Sequence, residues 1–387
     1  MIKETDNEKH QSHNHLTLFL EKSAVDLAFI SEEQYVFLIS SDSDSRWPSH
    51  ILRSGTTTLK VGDRRLSGYA SLITCEKEKR QIEANFRKKY GDTYFDRYFQ
   101  HPGRFLKIDT SNNSAFRQKN YFEWLEEEFD SEAENYDNHI FGNRINKLLR
   151  ERSLETIFGY LKPSFRVLEI GCGSGTETIE VLKNECSVVA VDISGSMIRK
   201  VKEKAVQAGL SHNLSTFKLR ASQLSEILNI YGPESFDLIY STFGALNCDS
   251  EIENIPPILA HLLRKGGHFI AGVYNKYCVS ELLINLTLLH FNRLSWRLRN
   301  PIPEGHSRFC IDVYSFSPGE FNSMFKGHLK LVRSLGVPVL IPPSNFKRFM
   351  DLTGKRFEKM SSVDRKLAGV WPFKYLGDHF ISVFEKN

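Results

Sequence analysis

The sequence is poor in the features that announce special architectures. Six cysteines are spread through 387 residues, at Cys75, Cys172, Cys186, Cys248, Cys278 and Cys310, with no CxxC pair. That argues against a disulfide framework and for free thiols in a reducing, cytoplasmic setting. Long hydrophobic runs are missing too. The most apolar stretch, 282–291, is too short to cross a bilayer and contains Asn285 and Thr287, so no membrane span is expected. No sign of charge dominates: 51 Lys and Arg face 47 Asp and Glu, a net +4, too little to imply a nucleic-acid partner. The first fifteen residues are polar and do not read as a signal peptide. Their histidines (His10, His13, His15) have no second ligand cluster, and no HExxH or Cys/His set follows, so no metal is expected.

What is present is the composition of a folded protein, 41% hydrophobic and 25% charged, long enough for two domains. A polar tail over 1–15 precedes a β-rich region over 16–110. Short apolar runs at 25–30 and 35–40 flank a polar turn, and 56–61 and 66–74 form a hairpin around Gly62-Asp63-Arg64. Helical spacing follows at 76–90, with Ile82 and Phe86 on one face, then a closing strand at 104–108. Residues 111–128 read as a linker leading into an acidic helix over 122–136. From 129 to 387 strands and helices alternate: strands at 165–170, 187–192, 214–220, 236–240 and 267–274, helices at 176–184, 196–208 and 252–263. Val188-Val189-Ala190-Val191 lacks polar alternation, as a strand covered on both faces does. The fold expected is α/β, a doubly wound Rossmann-like sheet, with an insertion at about 277–317.

The most informative stretch is Val167-Leu168-Glu169-Ile170-Gly171-Cys172-Gly173-Ser174-Gly175. A buried strand runs into three alternate glycines and then a helix. Glycines permit positive φ and let a ligand approach bare backbone, at the strand ends where ligands of open α/β sheets bind. The spacing is GxGxG, although a shifted GxGxxG reading is open on glycines alone. Glu169 discriminates better. A buried carboxylate there needs a partner; it would repel a pyrophosphate and suit an ammonium group. Asp192, ending the next strand, can accept both hydroxyls of a ribose, while Ile193 and Met197 form part of an adenine-sized slot.

These residues, EIGCGSG followed by VDIS, resemble the first two motifs of class I S-adenosylmethionine-dependent methyltransferases. The similarity continues through FDLIYSTFGALN (236–247) and LLRKGGHFIAGVYN (262–275). Ala133-Glu134-Asn135-Tyr136-Asp137 is similar to the AxxYD segment that closes over the cofactor. The resemblance implies a seven-stranded methyltransferase sheet and S-adenosylmethionine as cofactor. Gly171, Cys172 and Gly173 would line the methionine moiety, Asp192 would hold the ribose and Ile193 would pack on adenine. Ser241 would touch the methionine end, Tyr136 would lid the sulfonium, and Arg152 or Arg150 would pair the cofactor carboxylate. The acid usual after the third strand is missing; Leu219-Arg220-Ala221-Ser222 stands there, leaving the adenine amino group to backbone or Ser222.

Methyl transfer from a sulfonium relies on positioning and desolvation. A base is needed only for a protonated acceptor, and Tyr274 and His306 are the candidates. The acceptor expected is a small molecule, in a reading where Leu282, Leu283, Leu286 and Leu289 line a lipophilic pocket with a basic rim. Ordinary core packing of that helix with a solvated basic end is the other reading, and the more economical one. The N-terminal region, through Trp47, Leu52-Arg53, 59–70 and Lys89-Tyr90, resembles FMN-binding split barrels of the deazaflavin-dependent nitroreductase group. The basic early strand that would hold a cofactor phosphate is not evident, which leaves flavin or deazaflavin binding doubtful. Docking of substrate, or a homodimer formed through this region, is the expectation. Competing readings are a redox enzyme fused to a methyltransferase, a non-catalytic cofactor-binding module, and a dinucleotide dehydrogenase.

Overall fold

The computed structural model describes residues 15–20, 24–41, 47–54, 57–99, 102–111, 121–302, 311–346 and 354–387. The chain divides into two compact units, the first ending at Trp124 and the second beginning at Leu125.

The first unit is a closed six-stranded antiparallel barrel in the order β1-β2-β3-β6-β5-β4. Its strands are β1 (His15–Phe19), β2 (Ala24–Glu32), β3 (Tyr35–Ile39), β4 (Thr57–Val61), β5 (Arg64–Leu72) and β6 (Phe105–Asp109). Closure leaves no exposed edge, the usual hazard of a small antiparallel sheet. β1 opens the region that the sequence marks as β-rich from residue 16, although the sequence did not single it out as a strand. Its burial alternates, with Leu16 and Leu18 inside, but five residues are too few to stand out from a polar neighbourhood. Helix Glu76–Tyr90 puts Ile82 and Phe86 into a cluster with Phe95, Phe99 and Phe105, as its spacing requires.

The second unit is built on a seven-stranded sheet in the order β12-β13-β11-β10-β7-β8-β9. The strands are β7 (Arg166–Ile170), β8 (Ser187–Asp192), β9 (Leu214–Lys218), β10 (Phe236–Ser241), β11 (Leu263–Tyr274), β12 (Lys330–Val337) and β13 (His379–Glu385). This is the doubly wound, Rossmann-like sheet expected, with one departure from an all-parallel arrangement. β13 enters antiparallel between β11 and β12, so its first residue, His379, pairs with the last residue of β11, Tyr274. Two hydrophobic layers cover the faces, one around Phe236, Phe269 and Phe384 and the other around Val181, Val201 and Tyr240. That double burial explains the unbroken apolar run of β8.

The acidic stretch expected as one helix forms two, Tyr121–Glu132 and Tyr136–Phe141. The insertion helix Val279–Thr287 corrects both readings of its leucines. Its buried residues are Ser280, Glu281, Ile284 and Asn285, whereas Leu282, Leu283, Leu286 and Leu289 are exposed. Nor is the basic end fully solvated, since Arg297 is buried. Hydrophobicity alone assigned the wrong face, because a buried ion pair holds Glu281 inward. Among the described residues, no helix is long and apolar enough to cross a membrane.

Candidate active site

The carboxyl ends of β7, β8, β10 and β11 converge around the glycine loop. The amides of Gly171 and Cys172 both donate to the Val191 carbonyl, at 2.8 and 3.0 Å, drawing the loop over the neighbouring strand. Gly171 has φ +72°, and a Cβ there would fall 2.3 Å from the Ala245 Cβ. Gly173, at φ +52°, would bring a Cβ 3.6 Å from the Tyr136 ring. Tyr136 therefore lies against the loop at van der Waals distance, and burial pushes its phenol up to about 12.

Two carboxylates lie beneath and beside this loop. Glu169 is buried and accepts from Thr178 Oγ1 at 2.5 Å. Burial, reinforced by the Glu177 charge, raises its carboxyl to about 8. Asp192 accepts from the Gly173 amide at 2.8 Å and the Ser194 amide at 2.9 Å. Burial still lifts it to about 6, against the pull of those amides. A third buried acid, Glu177, accepts from Arg150 Nη1 through both carboxylate oxygens, at 2.7 and 2.9 Å. Burial raises its carboxyl all the same. One guanidinium thus faces a site rich in carboxylates, an electrostatic deficit that a cationic ligand would relieve.

The segment bearing Tyr136 is fixed by three acids, of which the AxxYD likeness marked Asp137 alone. Asp130 Oδ1 accepts from Ser194 Oγ at 2.5 Å and from the Ser196 amide at 2.9 Å. Asp137 accepts from Ser174 Oγ at 2.5 Å and pairs with Lys204 at 2.6 Å. Glu134 pairs with Arg199 and Lys200.

The remaining sequence candidates separate. Met197 is buried beside Ser194, whose hydroxyl accepts from its amide, while Ile193 is half-buried. The Ser241 hydroxyl donates to the Ile170 carbonyl at 2.8 Å. Arg152 is engaged elsewhere, with Glu155 and the Ser361 carbonyl; Arg150 is the arginine that reaches the loop, through Glu177. His306 lies outside the described residues. At the third-strand loop, the Ser222 amide donates at 2.9 Å to Asp249 Oδ2. Asp249 is buried, and it comes from the segment after β10. An acid does therefore stand at this corner, supplied from a part of the chain that no motif indicated. The Cys248 thiol beside it is pushed up to about 12 by burial, with Asp249 and Asp192 adding to the effect.

On the β11 side the sheet carries a pocket lined by Leu149, Ser153, Phe243, Gly272, Val337 and His379. Phe243 has φ +56°, a strained conformation of the kind that concentrates at functional sites. Its ring lies 4.6 Å from the Arg150 guanidinium carbon, joining the pocket to the loop's charge network. His379 Nδ1 stands 3.1 Å from Asp378 Oδ2. Asp378 in turn meets Arg297 at 2.5 Å, as Glu281 does. Burial by itself would raise the Asp378 carboxyl; Arg297 and His379 overcome that and hold it below the usual carboxylate range. Tyr274, the other candidate base, is stacked under Arg297 at 4.1 Å, and burial raises its phenol well above normal. Cys278, Glu281 and Asp378 lie close enough to share a cation, and the Arg297 guanidinium is the cation bonded to the two carboxylates. His379 was missed because its partner is its own chain neighbour in the last strand, far from any recognisable motif.

A family profile described as a methyltransferase domain matches residues 167–267, the span from β7 through the turn before the apolar part of β11. The second unit thus contains a methyltransferase domain. A ubiquinone/menaquinone biosynthesis C-methyltransferase of Rhizobium leguminosarum is 26% identical over 37% of this chain and 55% of its own length. A malonyl-[acyl-carrier protein] O-methyltransferase of Ilyobacter polytropus is 28% identical over 43% of this chain and 57% of that one. Among solved structures, a geranyl diphosphate C-methyltransferase from Streptomyces coelicolor aligns over 61% of this chain and 78% of its own. That alignment has 11% identity and a TM-score of 0.39. The chain spans about half the length of the curated relatives it matches.

Proposed function

We propose that this protein transfers the methyl group of S-adenosylmethionine to a small, lipophilic acceptor. The observation that carries the reading is the pair of buried carboxylates, Glu169 and Asp192, left without a full counter-charge at a bare-backbone loop. A dinucleotide would place pyrophosphate there and worsen the deficit; a cationic nucleoside relieves it.

The residues fit that group. Asp192 has lone pairs beyond the two amides it accepts from, enough to receive ribose hydroxyls. Asp249, which accepts from the Ser222 amide, is the acceptor we assign to an adenine amino group, with Ile193 and Met197 as apolar walls. Tyr136 offers an aromatic face toward positive charge. When bound, S-adenosylmethionine would supply a sulfonium-activated methyl, its sulfur keeping the bonding electron pair on transfer. The chain's own work is to orient and to exclude water: Tyr136 covers the loop, and Phe243 and Leu149 wall the acceptor pocket. For an acceptor that must lose a proton, His379 is the group we assign. With Nδ1–H donating to the ionised Asp378, Nε2 is the nitrogen left to accept.

Calorimetric titration with S-adenosylmethionine tests the reading. Binding by the wild type with strong loss in Asp192→Asn is expected. No binding by the wild type, or equal affinity in the variant, would overturn it.

A further inference from the structure

We infer that the insertion after β11 is a docking surface for an anionic lipid bilayer. Large apolar side chains that a folded chain normally hides are concentrated here. Leu283 is 56% exposed, Leu289 70% and Phe291 62%, with Leu282, Leu286, Leu288 and Leu298 also exposed. Single exposed leucines need no explanation, but seven large apolar side chains exposed within 282–298 mark an interaction site. A second segment extends it. Trp371, 75% exposed, begins a turn tied to the start of the insertion helix. The Val279 amide donates to the Leu376 carbonyl at 3.1 Å, and Asn275 Nδ2 donates to the Tyr375 carbonyl at 2.9 Å.

The face is held outward by design of the buried side. Arg297 binds Glu281 on the helix and Asp378 before β13, so the leucines project from a fixed base and cannot roll inward without breaking that network.

Charge selects the occupant. Between 279 and 302 the one acid is Glu281, buried against Arg297, while His290, Arg293 and Arg299 are exposed. The turn at 370–376 adds Lys374 and no acid. A leucine, phenylalanine and tryptophan face rimmed by basic groups matches an interfacial lipid surface carrying negative headgroups. Two copies meeting through this face would oppose arginine to arginine, which disfavours self-association.

Vesicle co-sedimentation of the full chain, without cofactor, tests this independently of methyl transfer. Vesicles of phosphatidylcholine mixed with phosphatidylglycerol should pellet the protein, those of phosphatidylcholine alone far less, and added salt should release it. Arg293→Gln with Arg299→Gln should weaken partitioning by about fivefold per arginine, and Leu283→Ser with Leu289→Ser by roughly tenfold per leucine. Both double variants should melt like the wild type, since the altered side chains are exposed. Failure to pellet with the anionic vesicles, equal pelleting with neutral ones, or variants that pellet like the wild type would overturn the inference. So would a vesicle-free dimer, seen by sedimentation velocity, that the leucine variant dissolves.

Discussion

Buried carboxylates occur on both sides of the methyltransferase sheet, and they behave in opposite ways. Around β7 and β8, Glu169 and Asp192 are raised to about 8 and about 6 because burial outweighs the partners they have. Around β11 and β13, Asp378 is equally buried and held low, because Arg297 lies between it and Glu281. The first arrangement costs the ligand-free fold stability and waits for a positive charge. The second is internally balanced and stiffens the pocket wall. Burial of an acid therefore does not by itself mark a binding site.

The sharpest test of that contrast removes Arg297. Arg297→Met strands two buried carboxylates and should destabilise the fold by about 3–5 kcal/mol, seen as a large fall in melting temperature, with cofactor affinity of the folded fraction retained. His379→Asn should slow turnover of a proton-losing acceptor by about a hundredfold without changing S-adenosylmethionine affinity by calorimetry. An acceptor that carries no proton to lose should be spared.

On the other side, Asp192→Asn should weaken cofactor binding by about 2–3 kcal/mol, roughly thirty- to a hundred-and-fiftyfold. Its effect on cofactor-free stability should run opposite to that of Arg297→Met. A carboxyl whose folded pKa exceeds its ordinary value binds its proton more tightly when folded, so ionisation at neutral pH destabilises the native state. Cofactor-free Asp192→Asn at pH 7 should thus melt no lower than wild type, and a clear drop would contradict the uncompensated picture.

The same linkage gives a pH dependence. For the free protein, the penalty from Asp192 grows as pH rises from the usual carboxylate range through about 6, and that from Glu169 through about 8. A bound cation favours the ionised forms, so affinity should rise between those values with release of protons. Calorimetry in buffers of different ionisation enthalpy would register that release. Smallest of all, Tyr136→Ala should cost about tenfold in affinity, while Tyr136→Phe, which keeps the ring face, should cost little.

The two halves also differ in how far they could be read in advance. The glycine loop, Asp192 at a strand end and the Tyr136 segment are local features, set by residues within a few positions of one another, and the structure assembles them around one loop. The β11 side is non-local. Its ion pairs join Glu281, Arg297 and Asp378 across the insertion and the last strand, and periodicity reads only apolar faces. It therefore turned the insertion leucines inward, when a buried salt bridge turns them out. Asp249 escaped notice for the same reason, reaching the third-strand loop from beyond the fourth strand.

What the sequence determined by itself was the alternation of strands and helices, the bare loop and the acids at strand ends, since backbone geometry and side-chain period follow from neighbouring residues. Only the tertiary structure decided which acid meets which arginine, which face of the insertion meets solvent, and that the final strand delivers His379 beside Tyr274. Those outcomes depend on the balance of desolvation and pairing between groups brought together from distant parts of the chain, and that balance exists only once the sheet has formed.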